Sequence, residues 1–388
     1  MRLVGGIGAT ARSSFNARTP RTPRGPSEIS RLGGAAKGGL AREARDTTPA
    51  AAEVRPRAAT PLGVLASWRF KANATPIALA VAGMLLAGCA SDISYGALEA
   101  KYDAPVSHYL DTPDGLHVRY RDQGPRGAPA LVMIHGFSAS LEAWTPWAER
   151  LSGQYRVISL DLPGHGLTRA PASWAPSIDA YADLADGLAA RLGVTSYVAI
   201  GNSMGGAAAW DDALRHPGHV RGLVLVDSAG WPGEKAGGAP PLVFNMMRSG
   251  PGRAVLRHID TTPMARSGLK SAYVDPALVT PALVGRYVDY SRAPGHRDLL
   301  LRIRSRPAAA IDAGSFKAIA VPTLVIHGEA DALIPVANGR AFAAAIPGAR
   351  LITYPGVGHV PMEQIPDRSA ADLKAFLADL PAPSSPGS

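Results

Sequence analysis

The residues best suited to chemistry start with Gly201-Asn202-Ser203-Met204-Gly205. An apolar, β-prone run, Tyr197-Val198-Ala199-Ile200, leads in, and a small-residue run, Gly206-Ala207-Ala208-Ala209-Trp210, leads out. Between a strand and a helix, G-x-S-x-G reads as a nucleophile elbow, a turn so tight that the serine backbone is strained. Only small residues fit two before and two after the serine, hence Gly201 and Gly205. The hydroxyl then stands clear at the positive end of the following helix. A serine attacks well only when a base takes its proton, so a histidine and an acid must come from elsewhere. Of the ten histidines, His359 alone has a Gly-x-Gly-His setting with a suitable acid upstream, Asp331, 28 residues earlier. Asp227 also ends an apolar run and is the competing acid. His135, His165 and His327 close strand-end motifs and read as structural. Taken alone, the pentapeptide is equally compatible with a glycine-rich turn carrying an incidental serine.

These side chains need a scaffold, and the hydropathy pattern supplies one. Val106–Thr112 and Leu116–Asp122 alternate around Pro113-Asp114-Gly115, as in a half-exposed hairpin. The continuous apolar run Ala130–Ile134 and the mainly apolar stretches Tyr155–Leu160, Tyr197–Ile200, Val220–Val226 and Val321–Ile326 read as buried strands. A further strand is expected at Ala349–Tyr354. Helical patterns fall at Leu141–Leu151, Ile178–Leu192, after the elbow to His216, at Val336–Ala345 and at Pro366–Leu380. Strands alternating with helices imply a mostly parallel sheet with helices on both faces. Residues 228–315 break this rhythm, hold no convincing strand, and read as an inserted helical cap. A second independent domain is the alternative there. The core is thus divided into 105–227 and 316–380, with a loose tail at 381–388.

From about residue 106 to 380 the chain resembles the α/β-hydrolase fold superfamily, specifically its capped bacterial members. The resemblance rests on five motifs in order. These are His135-Gly136-Phe137, Asp161-Leu162-Pro163-Gly164-His165-Gly166, Gly201-Asn202-Ser203-Met204-Gly205-Gly206, His327-Gly328-Glu329-Ala330-Asp331, and Gly358-His359. It implies an α/β-hydrolase fold with a Ser203, Asp331, His359 triad, a chain order this fold uses. It favours Asp331 over Asp227 as the acid. Ser203 would attack, His359 would be base and then acid, and Asp331 would orient the imidazole. Backbone N–H groups of Phe137 and Met204 would stabilise the oxyanion, with His135, Gly136, Gly201, Asn202 and Gly205 shaping the elbow and the oxyanion loop.

The N-terminal part is of another kind. Residues 1–88 carry 13 Lys and Arg against 4 Asp and Glu, which accounts for the whole +9 excess, since the remainder holds 27 of each sign. The folded part therefore offers no net electrostatic case for nucleic acid. Residues 1–60 lack apolar periodicity and read as a disordered leader running to residue 67. Arg69 and Lys71 precede an apolar run, Pro76–Ala87, too short to span a bilayer comfortably. Leu86-Ala87-Gly88-Cys89 resembles a bacterial lipobox closing a signal peptide over 68–88. That resemblance implies cleavage before Cys89, lipidation of this only cysteine, a tether over 89–104, and attachment to a membrane surface in the bacterial cell envelope. A signal segment so far from Met1 leads us to expect translation to begin near Val64 or Leu65.

No HExxH, cysteine cluster or phosphate-cradling loop occurs, so no metal or cofactor is expected. Serine rather than aspartate at the elbow argues against dehalogenase or epoxide hydrolase chemistry. Hydrolysis of an uncharged, largely apolar carboxylic ester is the first expectation. The string Asn202-Ser203-Met204-Gly205-Gly206 also resembles carbon–carbon bond hydrolases of ring-fission products, although Val360 stands where those carry tryptophan. A perhydrolase-like activity, or a non-catalytic binding protein on the same fold, completes the alternatives. In the cap, Met246 and Met247 either line an acyl pocket or simply pack, and Arg302, Arg304 and Arg306 read as a solvated face.

Overall fold

The computed structural model describes residues 91–233, 246, 249–303 and 312–381. The stretches expected to be leader and signal segment, Cys89, Met247, Arg304, Arg306, parts of the segment expected to be a cap, and the last seven residues lie outside the described residues.

Eight strands form one sheet: β1 (Ser107–Asp111), β2 (His117–Gln123), β3 (Ala130–Ile134), β4 (Arg156–Leu160), β5 (Tyr197–Asn202), β6 (Val220–Val226), β7 (Thr323–Gly328) and β8 (Arg350–Tyr354). Their spatial order is β1-β2-β4-β3-β5-β6-β7-β8. β1 and β2 form an antiparallel hairpin, β2 runs antiparallel to β4, and all later pairings are parallel. This is an α/β-hydrolase fold.

The apolar runs explain the layering. Side chains alternate across a strand, and in β3 Ala130, Val132 and Ile134 enter one core while Leu131 and Met133 enter the other. The first core is closed by α3 (Ile178–Arg191), α4 (Met204–Arg215) and α9 (Val336–Ala345), which contribute Tyr181, Trp210 and Phe342. The second takes Trp144 from a 3₁₀ turn (Leu141–Trp144), Trp147 from α2 (Thr145–Leu151), and Leu373 and Phe376 from α11 (Pro366–Ala378). It also takes Leu269, Val284 and Val288 from the 228–315 segment. That segment contains α5 (Gly250–Leu256), α6 (Thr262–Ala272), α7 (Pro281–Ser291) and α8 (His296–Leu300), and no strand among its described residues. A short α10 (Pro361–Gln364) directly follows His359.

The stretch expected to be a tether differs. Residues 95–102 form α1 (Tyr95–Tyr102), capped by Ser94, whose hydroxyl accepts from Ala97 N–H. Leu98 is buried with Leu167, Tyr290 and Ala293. Lys101 and Tyr102 bond Asp289, Ile93 N–H donates to Arg292 O, and Arg297 pairs with Asp92. The physical reason is that Tyr95, Leu98 and Tyr102 offer apolar area at helical spacing, enough to dock on α7 and α8. Among the described residues no helix is long and apolar enough to cross a membrane.

Candidate active site

Ser203 sits between β5 and α4 with φ 54° and ψ −120°, a left-handed conformation rare for a non-glycine residue. Two backbone bonds clamp it there: Ser203 N–H donates to Val226 O and Ala229 N–H donates to Ser203 O, both at 3.0 Å. Its neighbours leave no room for side chains. A Cβ at Gly201 would stand 2.0 Å from Gly205 O, and one at Gly205 would stand 2.0 Å from Ile134 O. The glycines seen in the sequence are therefore steric requirements of the turn.

Asp331 lies on the loop after β7 and His359 on the loop after β8. His359 Nδ1 lies 2.7 Å from Asp331 Oδ2. Asp331 Oδ1 accepts the N–H groups of Leu333 and Ile334 at 2.8 and 3.0 Å. Burial raises the Asp331 pKa, but His359 and those two amides outweigh it, so the carboxyl is held below its usual range. The His359 backbone is fixed by its own N–H donating to Ala272 O. Asn202, next to Ser203, donates from Nδ2 to His359 O at 3.0 Å and to Val226 O at 3.2 Å. One amide side chain thus ties the elbow to the histidine loop.

Phe137 follows Gly136, whose absent Cβ would stand 3.0 Å from Ser203 Cβ, so this loop passes directly over the elbow. Met204 is the first residue of α4 and is buried. His135 carries its proton on Nδ1, donating to Gly136 O at 2.8 Å, while Nε2 accepts from Leu162 N–H at 3.0 Å. Burial lowers its pKa, so it is a neutral brace of the oxyanion-loop backbone. His165 and His327 are buried and lowered in the same way. Glu329 accepts from Thr353 Oγ1 at 2.6 Å, and Arg302 donates to Ala172 O at 2.9 Å, which pins the cap segment to the core.

Three features were not anticipated. Ser138, beside the oxyanion loop, also has a positive φ of 60°. Asp161 proves to be a hub: Oδ1 accepts from Leu141 N–H, and Oδ2 accepts from Leu167 N–H and Arg119. A Cβ at Gly166 would fall 2.0 Å from Asp161 Oδ2, so the Asp161–Gly166 motif is a structural device. Glu363 on α10, in the charge field of Arg286 and near Tyr273, is pushed by burial to about 7. Nothing in the local sequence distinguishes it from a surface glutamate.

A strained serine at a helix N-terminus stands on the elbow, and Asn202 links that elbow to the loop of a histidine paired with a buried acid; the similarities of the chain point to the same class. A family profile described as alpha/beta hydrolase fold matches residues 129–365. The chain belongs to the alpha/beta hydrolase fold family and is a hydrolase. It is 29% identical over 277 residues to a 2-hydroxymuconate semialdehyde hydrolase of Pseudomonas sp. (strain CF600), spanning 69% of this chain and 93% of that protein. It is 28% identical over 280 residues to a bifunctional esterase/perhydrolase of Acinetobacter calcoaceticus, spanning 69% and 99%. Among solved structures, a bacterial membrane phospholipase A superposes with a TM-score of 0.58 at 26% identity, covering 78% of this chain and 90% of that one.

Proposed function

We propose that this hydrolase cleaves a carboxylic ester through an acyl-enzyme intermediate on Ser203. Ser203 Oγ would bond to the ester carbonyl carbon while His359 Nε2 takes its proton. The imidazolium, oriented by Asp331, would pass that proton to the departing alkoxide as the carbon–oxygen bond breaks. Water, deprotonated by the same imidazole, would then release the acid and restore Ser203. The N–H groups of Phe137 and Met204 are the oxyanion donors in this reading, each worth about 3 kcal/mol to the barrier. The observation that carries it is the 2.7 Å His359–Asp331 contact joined through Asn202 to the strained elbow. The esterase/perhydrolase relative supports the ester over other acyl donors.

Hydrolysis of a p-nitrophenyl ester series of rising chain length, by residues 90–388 and by Ser203→Ala, tests this. Activity that disappears in the variant supports the reading, and the chain-length optimum sizes an apolar small-molecule substrate. A folded protein inert across the series shifts the reading to carbon–carbon hydrolysis, which the 2-hydroxymuconate semialdehyde hydrolase relative favours, or to a non-catalytic binding protein.

We also propose that Cys89 is lipidated after signal cleavage and holds the enzyme on a membrane surface of the cell envelope. The lipobox-like Leu86-Ala87-Gly88-Cys89 supports this, as does likeness to a membrane phospholipase. Mass analysis of the mature N-terminus after expression in a bacterial host decides it: a diacyl- or triacyl-cysteine is expected, and an unmodified Cys89 in the cell envelope contradicts it.

A further inference from the structure

Next to the His359–Asp331 pair lies a second carboxyl that this mechanism leaves unused. Asp227 follows β6, is fully buried, and has a positive φ of 45°. Side chains other than glycine hold that conformation only where surrounding contacts impose it. Its Oδ1 accepts Gly328 N–H at 2.8 Å. Its Oδ2 is buried with no hydrogen-bond partner. The carboxyl lies against Asp331, and one atom from each of Asp227, Asp331 and His359 falls within 4.8 Å of the others.

The donors around the two carboxyls are unequal. Asp331 receives three, from Leu333, Ile334 and His359, whereas Asp227 receives one. His327 Nε2 lies 3.6 Å from Asp227 and 3.7 Å from Asp331, but it donates to Ile334 O at 3.0 Å, and burial keeps the ring neutral. From β8, Tyr354 donates its hydroxyl to Asp372, and the Arg368 guanidinium from α11 lies over the Tyr354 ring. Tyr354 also lies in the charge field of Asp227, and burial raises its pKa, so its hydroxyl brings no positive charge to the pair. Two facing, buried carboxylates without a cation between them cannot both be ionised. The proton belongs on the one with fewer donors. Burial first, and then the facing Asp331, push Asp227 well above the usual carboxylate range, while Asp331 is held low.

We propose that Asp227 is a positioning residue of this site: its carboxyl is neutral and its O–H donates to Asp331, fixing the carboxylate that orients His359. The role rests on the serine-hydrolase reading above. An unused orphan atom gains a partner, and a strained residue gains a reason.

Two variants and two readouts test it. Asp227→Gly suits the positive φ and removes the donor, whereas Asp227→Asn places an N–H where the O–H stands. The glycine variant is expected to lower kcat by about tenfold with KM little changed, the size of a lost hydrogen bond to a charged group. Asn is expected to recover most of that loss. Without the donor the Asp331 charge is less dispersed, so the acid limb of the pH–rate profile moves up by about half a unit in the glycine variant. The second readout is NMR titration of the His359 ring in a Ser203→Ala background, which needs no turnover. It is expected to move up with Gly and to return toward the parent midpoint with Asn. A midpoint that instead falls by about a unit in Asp227→Asn would show that a negative charge had been removed, and would overturn the proposal. So would a glycine variant that keeps the parent kcat and titration. Absence of ester hydrolysis in the parent protein would count against the hydrolase reading alone, because the titration still reads Asp227.

Discussion

Asp331 grips His359 by a 2.7 Å contact from one carboxylate oxygen while two backbone amides hold the other. The acid is thereby locked in one orientation, and with it the imidazole tautomer that leaves Nε2 for the proposed role of base. Asp331→Asn keeps the shape but offers an N–H where His359 Nδ1–H needs an acceptor. The expected result is a kcat reduced by about 10³- to 10⁴-fold with an unchanged circular dichroism spectrum.

The elbow glycines make a sharper structural prediction. A methyl group at Gly201 would fall 2.0 Å from a backbone oxygen that no rotamer change can move. Gly201→Ala should abolish hydrolysis and lower the thermal midpoint by several degrees. A Gly222→Ala control, whose nearest neighbour at 3.2 Å is the flexible end of Leu380, should cost far less.

Asn202 Nδ2 ties the elbow to the His359 loop by its bond to His359 O, and to β6 by its bond to Val226 O. Asn202→Ala leaves Ser203 and Asp331 in place but takes this donor from the His359 carbonyl, while Val226 O keeps the Ser203 N–H. Activity should fall by about tenfold or more, with stability reduced by about 1–3 kcal/mol, measured by urea unfolding.

Stability should depend on pH through Glu363. Burial raises its folded-state pKa from the ordinary 4.5 to about 7. Below 4.5 the carboxyl is protonated in folded and unfolded chains alike, and its contribution is fully present. As pH climbs from 4.5 toward 7 and beyond, the unfolded chain releases that proton more readily, and stability is lost. The loss, complete once the pH is above about 7, is about 3 kcal/mol. Urea unfolding at pH 5 and pH 8 should show Glu363→Gln to be flatter than the parent protein, and more stable than it at pH 8.

The segment after Cys89 contributes stability. Leu98 is 1% exposed and packs on Tyr290 and Ala293 beside the cap helices. Leu98→Ala should cost about 2–4 kcal/mol in urea unfolding. A segment that acted merely as a spacer would tolerate it without loss.

Some of this was legible in the sequence for plain reasons. Strands buried on both faces favour apolar residues throughout, so Ala130–Ile134 announced itself, as did Val220–Val226 through its apolar end Leu223–Val226. The elbow was legible because steric exclusion dictates Gly201 and Gly205, and neither needs a distant partner to be recognised. The hidden features depend on long-range contacts. Asp227 reads locally as a strand-end acid, and only the approach of the loop after β7 brings Asp331 to it. α1 read as a spacer because Tyr95, Leu98 and Tyr102 are too sparse to signal burial until α7 and α8 are placed against them. Glu363 owes its raised pKa to burial under elements distant in the chain, and Arg286 and Tyr273, 77 and 90 positions away, only partly offset it.

The most direct test of the central claim is covalent. The folded protein is treated with a fluorophosphonate, which phosphonylates only an activated serine, and the peptide spanning Ser203 is then analysed by mass spectrometry. The account predicts one adduct on Ser203, loss of ester hydrolysis in step with labelling, and no adduct in Ser203→Ala or after unfolding. A folded protein that hydrolyses esters while Ser203 stays unlabelled, or that labels equally well in Ser203→Ala, would contradict it.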